Sequence, residues 1–167
     1  MAHASIEMYN FNVWANKTML DRLKEIPQDI YNKEIQSVFP SISKAMPHIY
    51  ITDICWLNIL LGKSMSDALV YANQLKENTE AKSLEELEML FLESSEQFKA
   101  IFNQQDNMEK TIVVDNPYAG IRETSYSEIV LQIVNHATYH RGNITAMLRQ
   151  LGYASTMTEY ALYWYSR

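Results

Sequence analysis

Apolar residues recur every three or four positions through four long stretches of the chain, the period of a helix with one buried face. In the first, Ile6 to Leu23, the stripe is Met8, Phe11, Val13, Trp14, Ala15, Met19, Leu20 and Leu23. Ser5 is placed to cap this helix and Pro27 to stop it. The second runs from about Ser41 to Leu61 through Ile42, Ala45, Ile49, Trp56, Ile59 and Leu60, and ends at Gly62. Pro40 opens it. Pro47 lies in its first turns, so the regular part is expected to begin near Pro47, where a first-turn proline is tolerated. Ser83, with Glu86 three residues on, forms a capping box at the head of the third, whose stripe includes Leu84, Leu87, Leu90, Phe91, Phe98 and Ile101. Ser125 and Glu128 repeat the box before the fourth, which runs to Leu151 with Ile129, Ile133, Ile144, Met147 and Leu148 on its apolar face.

The segments between carry weaker patterns. Residues 63–82 are polar and read as a loop with a short helical piece around Asp67–Ala72. Thr111 to Asp115 and Ile121 to Thr124 are strand-like runs flanking Asn116-Pro-Tyr-Ala-Gly120, the pattern of a small hairpin. Thr156 and Glu159 suggest a third capping box for a short final helix, whose Tyr160, Leu162, Tyr163, Trp164 and Tyr165 need a bundle or a partner chain to bury against. There is no internal repeat and no low-complexity linker. The expected architecture is all-α, a four-helix bundle with a hairpin-like crossover, in one domain spanning residues 1–167, which is length enough for a full core.

Composition narrows the function classes. A formal charge of −6 with scattered lysines and arginines argues against a nucleic-acid binder, which would show a basic face. Eleven tyrosines and three tryptophans then serve packing, since base stacking would need cationic company. No apolar run reaches the roughly 18 residues of a membrane span, and the first residues lack a secretory pattern, so the expected compartment is the cytoplasm. The single Cys55 excludes an internal disulfide and reads as a small buried hydrophobe beside Trp56.

The chemistry lies in the histidines. His136 is three residues after Ile133, and His140 is four before Ile144, so both fall on the apolar face of the fourth helix. Four residues apart, they share that face with Cβ atoms roughly 5–6 Å apart. His48 takes the same inward position on the second helix, between Ala45 and Thr52. Three buried imidazoles without a shared purpose would leave several nitrogens in need of partners. A divalent metal resolves this, with Zn²⁺ or Ni²⁺ as the favoured ions and open positions left for substrate. Such a site can activate a water or a thiol. Residues 137–139 are Ala-Thr-Tyr, so the His-Glu-x-x-His pattern of zinc peptidases is missing. Asp53 lies about 140° round the helix from His48 and reads as a surface or salt-bridge residue. Tyr139 reads as packing, and Arg141 faces outward, able to meet an anionic substrate or an acid on a neighbouring helix. Asn135 and Asn143 are either partners of the histidines or surface residues, and His3 is assigned no role.

The stretch Asn135-His-Ala-Thr-Tyr-His-Arg-Gly-Asn-Ile-Thr-Ala-Met-Leu-Arg-Gln-Leu-Gly152 resembles the signature helix of the DinB-like (DinB/YfiT) proteins. Tyr9-Asn-Phe-Asn-Val-Trp-Ala-Asn16 is similar to the family's opening, and His48 followed by Asp53 and Trp56 to its second-helix pattern. The resemblance implies an up-down-down-up four-helix bundle that holds a divalent metal through His48, His136 and His140. Tyr139 departs from it, standing where the family often has the first of two histidines. Relatives include metal-dependent hydrolases and S-transferases that use a low-molecular-weight thiol, and many form homodimers. The resemblance therefore implies a small-molecule substrate, and it implies neither DNA binding nor polymerase activity.

Overall fold

The computed structural model describes residues 3–166. In chain order these residues form α1 (Ala4–Lys24), α2 (Gln28–Tyr31), α3 (Ile42–Leu60), α4 (Met65–Glu80), α5 (Leu84–Asn103), β1 (Thr111–Asn116), β2 (Gly120–Ser125), α6 (Tyr126–Gln150) and α7 (Tyr160–Tyr163). The chain is mostly helical, with one two-stranded sheet. No helix among the described residues is long and apolar enough to cross a membrane.

The two strong capping boxes form as their sequences dictate. Ser83 Oγ accepts from Glu86 N while Glu86 Oε2 accepts from Ser83 N at 2.9 Å. At the head of α6, Glu128 does the same for Ser125 at 3.0 Å and also holds Arg122 of β2 in an ion pair. Each box satisfies two amides that the first helical turn leaves free. Between the boxes, β1 and β2 pair antiparallel from Thr111↔Ser125 to Asn116↔Gly120. The turn is closed by Asn116 Oδ1, which accepts from Tyr118 N, and Gly120 takes the positive φ of 94° that a residue with a Cβ resists.

α1 packs against both α5 and α6, and α3 packs against the same two helices. Met19, Leu23, Ala45, Ile49, Leu87, Phe98, Ile133 and Met147, all fully buried or nearly so, fill the space between them. These are the stripe residues of the sequence, and their removal from water is the main favourable term holding the helices together.

Five local expectations need correction. Residues 63–82 are not a loop with a short helical piece; α4 is a 16-residue helix capped by Ser64, whose hydroxyl accepts from Asp67 N. Its buried stripe is only Met65, Ala68, Ala72 and Thr79, narrow and made of weakly apolar residues, and α4 leans on α3 alone among the long helices. α1 is capped by His3, whose Nδ1 accepts from Ser5 N, and Ser5 is itself buried inside the helix. His3 therefore has a structural role, extended by its contact with Glu109 at 3.2 Å. α3 begins at Ile42, so Pro47 is interior and the carbonyl of Ser43 loses its helical donor. The box expected at Thr156 does not form: α7 starts after Glu159 with no side-chain cap. The chain before it runs extended across α6, held by Arg22 Nε donating to the Ala154 carbonyl at 2.8 Å and by Thr145 to Ser155 at 2.9 Å. Tyr160 and Tyr163 do pack on the bundle, against Phe11 and Trp14, while Trp164 and Tyr165 stay exposed.

Candidate metal centre

α3 and α6 turn His48, His136 and His140 towards one point. The Nε2 atoms of His48 and His136 are 3.2 Å apart. The ring centroids are 5.1, 4.6 and 4.4 Å apart for the His48–His136, His48–His140 and His136–His140 pairs. One ligand atom from each lies within 4.8 Å of the others. Two nitrogens bound at about 2.0–2.1 Å to one tetrahedral ion would be roughly 3.3 Å apart, so the observed 3.2 Å fits a shared ion. The cluster contains no carboxylate.

The electrostatics suit the same purpose. Burial pushes His136 down to about 3, with the charges of His140 and His48 adding to it. Burial likewise holds His140 at about 4, helped by His48, and lowers His48, which also feels the Lys76 cation. All three rings are therefore neutral near pH 7, the form that can donate a lone pair to a metal. Asn143, one turn beyond His140, places its side-chain amide 3.2 Å from His140 Nδ1. With its nitrogen towards Nδ1 the amide donates and the proton of the neutral ring stays on Nε2; turned over, the same amide presents Oδ1 to an Nδ1–H and leaves Nε2 free for an ion. His136 Nδ1 is buried without a hydrogen-bond partner.

The surroundings are mixed. Phe39, from the irregular segment before α3, sets its ring 5.2 Å from both His48 and His140. His48 stands on the wall of a groove of about 530 Å³ between α3 and α4, with Thr52, Cys55, Trp56 and Lys76. A second groove of about 620 Å³ runs beneath the hairpin and shares Trp56 and Met65 with the first. A larger concavity, about 1190 Å³, follows the C-terminal tail across α6 and includes none of the three histidines. Cys55 is buried, and burial pushes its thiol up to about 11, so it behaves as the small hydrophobe expected of it. Tyr139 does not pack inward as expected. It is 62% exposed, with its ring edge-on to His140 at 5.0 Å. Asn135 is exposed and lines the outer grooves.

Two residues are placed where the sequence reading did not put them. Arg141, expected on the outer face, is 1% exposed. Its Nη1 donates to Asn12 Oδ1 and Asn16 Oδ1, each at 2.7 Å, and its Nη2 to Thr138 Oγ1 at 2.8 Å. Asp53, expected at the surface, is 3% exposed. Burial pushes its carboxyl up to about 8 against the pull of the Arg141 charge. The signal was present in both cases. Arg141 is four residues after Ala137 and seven before Leu148, and Asp53 is four after Ile49 and four before Leu57, all buried. Spacing from His48 misleads for Asp53, because His48 sits on another face of α3. With Asn12 and Asn16, also buried, Arg141 forms a hydrogen-bonded node between α1 and α6, and its charge acts on Asp53 of α3.

Two comparisons with known proteins agree on a family. A model of the DinB family matches residues 1–167. Protein DinB of Bacillus subtilis (strain 168) is 52% identical over 163 residues, which cover 98% of this chain and 95% of the relative. The chain belongs to the DinB family.

Proposed function

We propose that the protein is a divalent-metal enzyme in which His48, His136 and His140 are the metal ligands and a low-molecular-weight thiol is transferred to an electrophilic small molecule. The observation that carries this reading is the convergence of three neutral imidazoles, without a carboxylate, beside an open groove. A metal held there, with Zn²⁺ or Ni²⁺ the favoured ions, would supply the Lewis acidity that lets a thiol or a water lose its proton near neutral pH. The protein's own groups do the rest. Asn143 holds the His140 ring in place. Phe39 shields the two nearest imidazoles from water on one side. The α3–α4 groove, with Lys76 on its wall, receives the substrate. Hydrolysis is the second reaction of this class, and it is disfavoured because no carboxylate in the cluster can take a proton from water.

The same reading makes α1, α3, α5 and α6 an up-down-down-up four-helix bundle, supported by the packing of α1 and α3 on the other two. It also places the protein in the cytoplasm as a homodimer, with Trp164 and Tyr165 of the tail available to a second copy. The test is thiol-dependent product release from a chloronitrobenzene by metal-loaded protein. The reading expects turnover that His136→Ala abolishes. Metal binding without turnover for any thiol or ester would leave a non-catalytic metal-binding protein instead.

A further inference from the structure

A separate cavity of about 190 Å³ opens between α1 and α5, away from the three histidines. Its walls are apolar: Leu20 on one side, Met89 and Leu92 on the other, the last two about half exposed at its mouth. Asp53 reaches it from α3, with Asn12 and Asn16 beside it.

The hydrogen-bond accounting of those polar groups is uneven. Ser94 and Ser95, also on the wall, donate their hydroxyls to the carbonyls of Phe91 and Leu92, at 3.0 and 2.8 Å. Asn12 and Asn16 give their carbonyl oxygens to Arg141. Asp53 Oδ1 is enclosed and has no hydrogen-bond partner. A buried acceptor without a donor is costly, and few such atoms persist in a folded protein without a reason.

The charges around the cavity set the ligand's own charge. On the wall Lys17 and Glu88 pair at 3.3 Å, and through them Asp21 and Lys24 complete a network of two cations and two anions. Beneath the floor, the Arg141 charge already acts on Asp53. A second cation would meet repulsion from Arg141, and an anion would lose its hydration in an apolar cavity while offering Asp53 Oδ1 no donor. Arg141 Nε is also buried without a partner and makes no bond to Asp53, so what the floor lacks is a donor that reaches Asp53 Oδ1. An apolar cavity of about 150 Å³ admits a benzene ring, so the space here suits a single ring of that size.

We infer that this α1–α5 cavity is a second ligand site, which takes a small uncharged ring compound bearing one hydroxyl donor, of the size of phenol, with that donor given to Asp53. Phenol and toluene make the test, since they differ by a hydroxyl in place of a methyl group. Each is titrated into ¹⁵N-labelled full-length protein while the backbone amides of Asn12, Asn16, Ser94 and Ser95 are followed. Toluene is the more hydrophobic, so a merely greasy cleft would prefer it. A donor matched to the floor should reverse that order, with phenol binding roughly tenfold tighter. Leu92→Trp, a substitution at a half-exposed position, should block the mouth and remove phenol binding. Three results would each overturn the inference. They are toluene binding as tightly as phenol, equal phenol affinity in Leu92→Trp, or no shift of those amides up to millimolar phenol, which would leave a cavity holding water alone.

Discussion

Replacing Arg141 by methionine retains much of the side chain's apolar volume and removes its charge and its donors. The guanidinium is 1% exposed and makes three side-chain hydrogen bonds of 2.7, 2.7 and 2.8 Å. Hydrogen bonds to a charged group contribute about 1.5–3 kcal/mol each, but three that share one side chain do not add. The better guide is the cost of removing one partner from a buried charged network, about 3–5 kcal/mol. The variant strips Asn12 and Asn16 of their donor, so a cost within that range is expected. Against a total stability of about 5–15 kcal/mol this is a large fraction, and it should lower the melting temperature by roughly 6–20 °C for a chain of this length. Urea unfolding followed by circular dichroism measures it as a shift of midpoint with unchanged slope. Lys17→Ala is the control, because its ion pair with Asp21 is exposed and should cost under about 1 kcal/mol. If Arg141→Met unfolds within about 1 kcal/mol of wild type, as the control does, the polar node does not hold α1 and α6 together.

Acid should destabilise the metal-free protein through the histidines. His136 and His140 titrate at about 3 and about 4 in the folded chain but near 6.5 when unfolded. The unfolded chain therefore binds more protons below about pH 6.5, and stability falls as pH drops from there towards 3. Asp53 acts with the opposite sign: raised to about 8, it contributes stability in acid that is lost as pH rises from about 4 to 8. Urea midpoints between pH 4 and 8 should consequently show a smaller loss in acid for His136→Asn than for wild type, and an equal loss would exclude His136 as its source. Asn143→Ala should weaken metal affinity about 10- to 100-fold by freeing the His140 ring, read by competition with a chromogenic chelator, while the unfolding midpoint of the metal-free protein stays near wild type. Ser125→Ala should cost about 0.5–2 kcal/mol by removing the cap of α6; no change in the unfolding midpoint would mean that Glu128 alone secures that end.

The sequence was most legible where apolar spacing and capping chemistry agreed. α5 and α6 begin at the boxes formed by Ser83 with Glu86 and Ser125 with Glu128, and the three histidines meet because each falls in register with an aliphatic stripe. α4 escapes the periodicity because a helix that packs mainly on one other helix needs only a thin stripe, here two alanines, a methionine and a threonine. The boundary of α1 was missed because an imidazole, not the hydroxyl of Ser5, accepts the first amide. Arg141 and Asp53 were misplaced for a different reason. Charged side chains are read as solvent-facing by default, and only the positions of their aliphatic neighbours one and two turns away reveal that they are buried. The cost of burying Arg141 is offset by the amide oxygens of α1, which come from more than a hundred residues away, a contact that no local pattern can announce.

The central claim is that three imidazoles brought within one ion's reach hold a metal. Elemental analysis of protein purified without nickel affinity, compared for wild type and His140→Ala, tests it most directly. About one divalent metal per wild-type chain and none in the variant is the predicted result. Wild-type protein that carries no metal, and takes up none from added Zn²⁺ or Ni²⁺, would contradict it and leave three histidines packed in a helical core.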